Sequence, residues 1–312
     1  MTKRPCGCTA APKENLPSPN PPPPPPLTTP WNPPPSAPDA QRRRGQRALS
    51  GSTALVTGGS SGVGRAIALD LARRGVRVLA TARRADRLAA LAAEPLPTGT
   101  PGILVSAGDI TSPHDRRAIL DEVARRLGGL DIVVAAAGSG AVGEFAGGDP
   151  DTLRRIMEID FFAPAELVRE SLPLLLQSRD PAIVLVGSIL GHHPLPLHAE
   201  YCAAKAALRS LAGSLRQELA AGRDAPPVDV VLASLGPTES EFWDNLVAGE
   251  RPAWARGTPS SAVATAAAVA TALEQRRPEV LPGWSAKGFA IAARFFPRLI
   301  DAIVRRRLRS QA

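Results

Sequence analysis

This chain has few aromatic residues and few cysteines. Aromatic residues make up 4% of its 312 residues, and there are three cysteines and one tyrosine. The number of cysteines is odd, and the positions Cys6, Cys8 and Cys202 lack the spacing typical of a disulfide-rich domain. Both observations argue against a small secreted domain held together by disulfides and favour a reducing compartment. The ligand spacing of a zinc site is also missing, so no metal centre is predicted.

Long apolar runs are also missing. No run reaches the length that a bilayer-spanning helix needs, and the N-terminus lacks the apolar stretch of a secretory signal. We therefore expect a cytoplasmic protein, with peripheral membrane attachment as the alternative.

Basic charge is scarce in the middle of the chain, although the net charge is +8. Lys and Arg outnumber Asp and Glu by 7 to 2 in residues 1–50 and by 9 to 2 in residues 276–312, but the residues between carry 21 against 25. The middle has no basic stripe with interleaved aromatics, so nucleic acid is excluded as a partner.

Proline is concentrated at the N-terminus. Fifteen of the 33 prolines fall in the first 40 residues, including the run Pro21 to Pro26. Such a composition cannot bury enough apolar surface to fold, and we predict that residues 1–48 form a disordered extension. A polyproline ligand for a partner domain or a stiff spacer remains an alternative to a neutral extension.

From about residue 52, short apolar runs alternate with amphipathic stretches. The pattern predicts an α/β fold, a single Rossmann-type, doubly wound parallel sheet with helices on both faces. We assign this domain to residues 49–275 and a basic amphipathic segment to residues 276–312. The predicted strands are 54–56, 76–81, 103–106, 132–135, 183–186, 228–233 and a short 280–281; the predicted helices are 62–74, 85–93, 113–127, 150–177, 199–221 and 260–275.

A glycine-rich turn follows the first predicted strand and leads into a helix. This context allows backbone to approach a pyrophosphate closely and points a helix N-terminus at the negative charge. The turn therefore predicts a dinucleotide site, which includes Gly58, Ser60, Ser61, Gly62, Val63 and Gly64.

The end of the second strand predicts which dinucleotide binds. Ala82 stands where an NAD enzyme usually has a carboxylate for the ribose, and Arg83 and Arg84 follow. Guanidiniums there would complement a 2′-phosphate, and no acid is expected nearby to repel it. We predict that NADP(H) is preferred and that NAD(H) is possible. Asp109 and Ile110 are predicted at the adenine, with helix capping as the competing role of Asp109.

The chemistry is predicted from three residues. Ser188 is followed thirteen residues later by Tyr201, the only tyrosine, and Lys205 lies one helical turn beyond it. The ammonium should lower the pKa of the phenol towards the working range. Ser188 would bind the substrate oxygen while Tyr201 moves a proton and a nicotinamide moves a hydride.

These motifs, TGGSSGVG, GDI and YCAAK with Ser188, resemble the short-chain dehydrogenase/reductase family over residues 52 to about 245. The resemblance implies that Ser188, Tyr201 and Lys205 are catalytic and that Tyr201 and Lys205 also contact the cofactor. It further implies cofactor contacts at Ala136, Gly138, Gly236 and Thr238.

The chain departs from the family's pattern after the fourth strand and on the long helix, and more mildly at Leu235 and Ser240. The family's Asn-Asn-Ala-Gly is replaced by Ala135 to Gly138, which predicts fewer local hydrogen bonds. Asp160 replaces the family's fourth catalytic residue, an asparagine, and its main-chain carbonyl could still support a proton relay. A catalytically weak cofactor-binding scaffold or sensor remains the alternative to an enzyme.

The predicted substrate end is apolar. Leu195, Leu197, Phe242 and Trp243 favour a lipophilic ketone or alcohol. The loop histidines, His192 and His193, could steer a polar group but are more often solvated.

The C-terminal segment has an apolar stripe with flanking arginines. The stripe predicts packing on the domain or on a second subunit, with contact at a membrane surface as the alternative. Pro297 should kink or restart this helix. The family resemblance implies a homo-oligomer built on the two long helices.

Overall fold

A computed structural model describes residues 45–220, 226–252 and 259–309. Most of the predicted proline-rich extension lies outside the described residues. The chain is already packed at Arg47 and Leu49, each 3% exposed. The packed part therefore begins a little before residue 49, because Arg47 is held by carboxylates of the domain.

One parallel sheet of seven strands forms the centre of the described structure, in the order β3-β2-β1-β4-β5-β6-β7. Its strands alternate with helices along the chain, which confirms the predicted doubly wound fold. The strands are β1 (Thr53–Thr57), β2 (Arg77–Ala82), β3 (Leu104–Ala107), β4 (Ile132–Ala135), β5 (Ala182–Ser188), β6 (Asp229–Leu235) and β7 (Glu279–Val280).

Helices cover both faces of the sheet, and each face has its own apolar core. The strands are apolar on both sides, as a sheet buried on both faces requires. The helices are α1 (Gly62–Arg73), α2 (Ala85–Ala92), α3 (Pro113–Leu127), α4 (Pro150–Met157), α5 (Ala163–Leu175), α6 (Ala199–Ala220), α7 (Ala262–Glu274), α8 (Trp284–Phe295) and α9 (Pro297–Arg309).

The predicted single helix over 150–177 is interrupted. A π-helical segment, Glu158–Phe162, separates α4 from α5. Pro164 has no N–H, so it cannot donate the bond that the Asp160 carbonyl would accept in a regular α-helix. Such widened turns often occur at functional sites, and this one carries Asp160.

The C-terminal segment forms two helices, as expected from Pro297. The chain leaves α8 at Phe296, whose φ and ψ are −132° and 49°, and α9 begins at Pro297. No helix within the described ranges has the length and apolar character to cross a membrane.

Candidate active site

A cavity of about 800 Å³ opens at the carboxyl ends of the strands, where ligands bind in doubly wound folds. Every residue that the sequence singled out as catalytic or cofactor-binding lines this one cavity. They are Gly58, Ser60, Ser61, Gly62, Val63, Gly64, Arg83, Arg84, Asp109, Ile110, Ala136, Gly138, Asp160, Ser188, Tyr201, Lys205, Gly236 and Thr238.

The glycine-rich turn between β1 and α1 has no room for side chains. Gly58 has a φ of +70°, and a Cβ there would lie 2.9 Å from the backbone N of Ala137. A Cβ on Gly64 would lie 2.4 Å from the Gly58 carbonyl oxygen. Backbone and the N-terminus of α1 therefore form the floor of the cavity, a cradle that fits a pyrophosphate.

The Thr57 hydroxyl braces β1 against the loop that follows β4. It accepts hydrogen bonds from the backbone N–H groups of Ala136, at 3.0 Å, and Ala137, at 3.1 Å. These contacts tie the two strands together at a place where the family's asparagines are absent. Sequence reasoning missed Thr57, which at the end of β1 looked like part of the glycine motif.

Arg84, more than Arg83, faces the glycine-rich turn. Its guanidinium lies 2.7 Å from the Ser61 hydroxyl and 3.2 Å from that of Ser60. Arg83 lines the cavity but is exposed. The three polar side chains together form a pocket with donors suited to a phosphate.

The expectation that no acid lies near the arginines is wrong. Glu241 Oε2 is 2.9 Å from Arg84, and its other oxygen is 2.9 Å from Arg87. Hydrogen bonding to Arg84, followed by Arg87, holds the pKa of Glu241 below its usual value. No local pattern predicts this contact, because 157 residues separate Glu241 from Arg84.

Asp109 does not cap α3. Its carboxylate accepts hydrogen bonds from the Thr111 N–H and hydroxyl, at 3.0 and 2.9 Å. Ser112 is the N-cap and accepts from the Asp115 N–H. Asp109 is therefore held in a local turn at the cavity wall, beside the buried Ile110.

Ser188, at the end of β5, and Tyr201, in the first turn of α6, line the same cavity, and the Ser188 hydroxyl is one of the groups that lower the pKa of the phenol. The Ser188 oxygen also accepts from the Leu190 N–H at 3.1 Å. The expected net lowering of the Tyr201 pKa is wrong. Burial raises this pKa, Lys205 opposes the rise, and the carboxylate of Asp160 adds to it.

Lys205 is paired directly with Asp160, and both side chains are almost completely buried. Lys205 Nζ lies 2.9 Å from Asp160 Oδ1 and 3.1 Å from the Val186 carbonyl oxygen. The other carboxylate oxygen accepts from the Ser139 N–H at 3.3 Å. Burial alone would lower the pKa of Lys205, but Asp160 and Tyr201 outweigh it, so this pKa is raised.

Asp160 is an ionisable group placed in the protein interior. Burial raises the pKa of its carboxyl group, and the contact with Lys205 works in the opposite direction. Its tight fit is visible at Gly138, where a Cβ would lie 2.7 Å from Asp160 Oδ1. The side chain, and not only the backbone at this position, therefore belongs to the site.

The substrate end agrees in part with the sequence analysis. Leu195, Phe242 and Trp243 line the cavity, and the Phe242 ring meets Tyr201 edge-on with centroids 5.5 Å apart. Leu197 is not among the lining residues; its φ of 65° turns the chain, and its carbonyl accepts from the Gly143 N–H.

The two histidines of the loop after β5, His192 and His193, do not line the cavity. They connect this loop to the C-terminal part of the chain. His192 Nε2 is 2.8 Å from Glu279 and 3.1 Å from the Ser234 hydroxyl. His193 Nε2 is 3.0 Å from Asp301 of α9. The histidine that does line the cavity is His198, which the sequence did not single out and whose pKa burial lowers.

Comparisons with known proteins agree with this geometry. Residues 52–251 match the family described as short chain dehydrogenase. "Hydroxysteroid 11-beta-dehydrogenase 1-like protein B" of Xenopus laevis is 30% identical over 262 residues, which are 83% of this chain and 87% of the relative.

Two solved structures are similar in fold. A short-chain dehydrogenase from Streptomyces avermitilis has a TM-score of 0.70 and 28% identity, covering 84% of this chain and 100% of that one. A short chain dehydrogenase/reductase from Burkholderia phymatum, in complex with NAD, has a TM-score of 0.71 and 21% identity, covering 81% and 96%. The sequence match, the parallel sheet and the cavity at its carboxyl edge together show that this chain is a member of the short-chain dehydrogenase/reductase family of oxidoreductases.

Proposed function

We propose that the chain is an NADP(H)-dependent carbonyl reductase or secondary alcohol dehydrogenase that acts on a lipophilic ketone or alcohol. The observation that carries the proposal is the meeting of Ser188, Tyr201 and Lys205 in the same cavity as the glycine-rich turn. A proton donor and a dinucleotide cradle within one cavity suit hydride transfer to a carbonyl.

In the reductive direction the substrate oxygen would accept a hydrogen bond from the Ser188 hydroxyl, and the Tyr201 phenol would give it a proton. The nicotinamide, when bound, supplies the hydride to the carbon. Burial raises the Tyr201 pKa, which keeps the phenol protonated and suits it to act as an acid. In the oxidative direction the raised pKa makes the phenolate harder to form, so activity should need alkaline pH.

Arg84 supports the preference for NADP(H). With Ser60 and Ser61 it offers charged and neutral donors at the place where a 2′-phosphate would lie. Glu241 opposes this preference, because its carboxylate accepts a hydrogen bond from the Arg84 guanidinium and would compete with a phosphate for it. We infer that a bound 2′-phosphate takes the place of Glu241 on Arg84.

The cavity wall supports a lipophilic substrate. The apolar residues beyond Tyr201 include Ile159, Leu190, Leu195, Phe242, Trp243, Leu246 and Val247. Apolar walls with a few convergent polar groups are typical of sites for apolar small molecules. The Xenopus relative, which is named as a hydroxysteroid dehydrogenase-like protein, supports the same substrate class.

Replacing Tyr201 by phenylalanine tests the enzymatic proposal. We expect Tyr201→Phe to lower kcat by about 10²- to 10⁴-fold, because the proton donor is lost while the ring remains. The assay is NADPH oxidation with a panel of bulky apolar and short polar ketones. Cofactor affinity, measured by fluorescence titration, should fall little because the ring remains, and circular dichroism of the variant serves as the folding control.

The same assay decides between the enzyme and the alternative, a cofactor-binding scaffold. The raised pKa of Tyr201 and the pairing of Lys205 with a carboxylate are the observations that favour the scaffold. A wild type no faster than Tyr201→Phe on every ketone, with cofactor binding intact in both, would establish the scaffold and refute the enzyme.

Cofactor preference is tested on the Arg84 pocket. Arg84→Ala should weaken NADP⁺ binding by on the order of ten- to a hundredfold, because it removes charge-assisted hydrogen bonds to the phosphate. Glu241→Gln should strengthen NADP⁺ binding by roughly two- to fivefold, the size of a partly exposed ion pair. The measurement is the ratio of NADP⁺ to NAD⁺ dissociation constants by calorimetry.

Arg87 gives a matched control for these variants. Arg87 also binds Glu241 but does not line the cavity, so Arg87→Ala should leave the ratio nearly unchanged. Equal ratios in wild type and Arg84→Ala would show that Arg84 does not read the 2′-phosphate.

A further inference from the structure

Helix α8 is apolar on two opposite faces. Its inner face is buried through Ala286 and Ala293. The opposite face begins at Trp284 and continues at Ile291 and Phe295. These two residues follow Trp284 by seven and eleven positions, close to two and three helical turns, so all three side chains point in one direction. They are 88%, 59% and 66% exposed, which leaves a row of large apolar side chains in water.

The apolar row continues across the break into α9. Phe296, Leu299 and Ile303 are 59%, 58% and 48% exposed, although Ile300 beside them is buried. Six of the eleven large apolar side chains exposed among the described residues therefore fall between Trp284 and Ile303. We call these six residues the tail patch. An exposed apolar cluster of this kind marks an interaction site.

Cations surround the tail patch. The exposed basic residues of α8 and the described part of α9 are Lys287, Arg294, Arg298, Arg305 and Arg306. Lys287 lies 5.2 Å from the centre of the Trp284 ring, and Arg294 lies 5.9 Å from that of Phe295. The acid on this segment, Asp301, is within 3.0 Å of His193 Nε2. The surface is thus both apolar and strongly positive.

We propose that the tail patch docks α8 and α9 onto the anionic surface of a lipid bilayer. The aromatic and aliphatic side chains would enter the boundary between headgroups and acyl chains, while the cations around them meet lipid phosphates. The helices would lie in the plane of the surface.

Charge argues against the other occupants of the patch. A second copy of the chain, packed through the same patch, would bring two clusters of arginines together without matching acids. The N-terminal 50 residues are also basic, with seven Lys and Arg against two Asp and Glu. An anionic lipid surface is the partner that complements both the charge and the apolar side chains.

The helices that carry the tail patch contact the loop after β5, part of which lines the cavity. His193 contacts the Phe289 ring edge-on at 6.3 Å and Asp301 through its Nε2, so it joins this loop to both helices. Leu190 and Leu195 of the same loop line the cavity. The proposal concerns binding to lipid and does not depend on the proposed reaction.

Vesicle sedimentation of the full chain tests this proposal. Wild type should pellet with vesicles of phosphatidylcholine mixed with phosphatidylserine, and much less with phosphatidylcholine alone. The double variant Phe295→Ser/Phe296→Ser should lower the partition coefficient by on the order of tenfold or more. Arg294→Glu/Arg298→Glu should lower it by on the order of thirtyfold or more.

Matched controls separate docking from general charge and apolar effects. Phe145→Ser changes a phenylalanine of equal exposure, 65%, outside the tail. Arg117→Glu/Arg125→Glu makes the same change in net charge on exposed positions of α3. Both controls should pellet like wild type.

Three outcomes would overturn the proposal. They are an absence of binding to the mixed vesicles, equal pelleting of tail and control variants, and a dimer in light scattering that only the tail phenylalanine variant dissociates. The last would assign the patch to a second copy of the chain.

Discussion

Asp160 is the residue that most distinguishes this site from the family's pattern. A carboxylate now lies where an amide is expected, 2.9 Å from Lys205 Nζ, and both groups are buried. A negative charge on Asp160 raises the pKa of Lys205 and that of Tyr201. Against the effect of burial, Lys205 therefore lowers the pKa of two acidic groups, the Asp160 carboxyl and the Tyr201 phenol.

Replacing Asp160 by asparagine should shift the pH profile of turnover to lower pH. With the carboxylate gone, one cause of the raised Tyr201 pKa is removed. Alcohol oxidation needs the phenolate, so its rate should begin to rise at a lower pH in Asp160→Asn than in wild type. The measurement is kcat for oxidation against pH.

Asp151→Asn is the control for this variant. It makes the same chemical change on α4, at a side chain that is 68% exposed. A profile of Asp160→Asn that superimposes on those of wild type and the control would mean that only the backbone at position 160 matters.

At the level of elements, β1 and β2 end side by side at the cavity with equivalent threonines. Thr57 and Thr81 are paired in the parallel register and are both completely buried. Thr57 accepts two backbone hydrogen bonds across the gap between β1 and β4. The Thr81 hydroxyl makes no hydrogen bond within the described part of the chain.

This difference predicts opposite responses to the same substitution. Thr57→Val should lower the free energy of unfolding by about 1–3 kcal/mol, because two backbone N–H groups lose their acceptor. Thr81→Val should be nearly neutral or slightly stabilising, because it removes a hydroxyl that is buried without a bond. Urea unfolding without cofactor measures both, and equal losses for the two variants would contradict the assignment of the Thr57 bonds.

Across the described structure, the charges of the candidate active site and a cluster of ion pairs lie at opposite ends of the sheet. The amino ends of the strands hold a cluster of Arg47 and Arg276 with Asp180 and Asp229. Arg276 binds Asp180 through two parallel contacts of 2.9 Å, and Arg47 is 2.7 Å from Asp229 Oδ2. This cluster joins segments that lie far apart in the chain.

Removing Arg47 should therefore weaken the fold and leave the chemistry intact. Arg47→Ala should cost about 1–3 kcal/mol in urea unfolding, since its buried side chain donates to the Pro181 carbonyl and to Asp229, while Arg276 still pairs with both carboxylates. Under native conditions kcat/KM should match that of wild type. Arg169→Ala, which breaks the exposed pair with Glu166 on α5, is the control and should change stability little.

A loss of kcat/KM in Arg47→Ala at temperatures where it is fully folded would show that the two ends of the sheet are coupled. Native content at the assay temperature, followed by circular dichroism, separates this result from simple unfolding.

The fold and most of the residues that line the candidate site follow from the sequence alone. Strand alternation, the glycine-rich turn and the spacing of Ser188, Tyr201 and Lys205 are local patterns, and local backbone geometry follows from them. Each predicted strand is present, with ends differing by a few residues.

How charges in distant segments meet depends on the path of the folded chain. The tertiary structure pairs Glu241 with Arg84 and Asp160 with Lys205. It also directs His192 and His193 away from the cavity, to Glu279 and Asp301. These contacts join residues tens to more than a hundred positions apart, and loop paths and burial fix them. The sign of the Tyr201 pKa shift could not be predicted from the sequence either, because it depends on how far burial and Asp160 together outweigh Lys205.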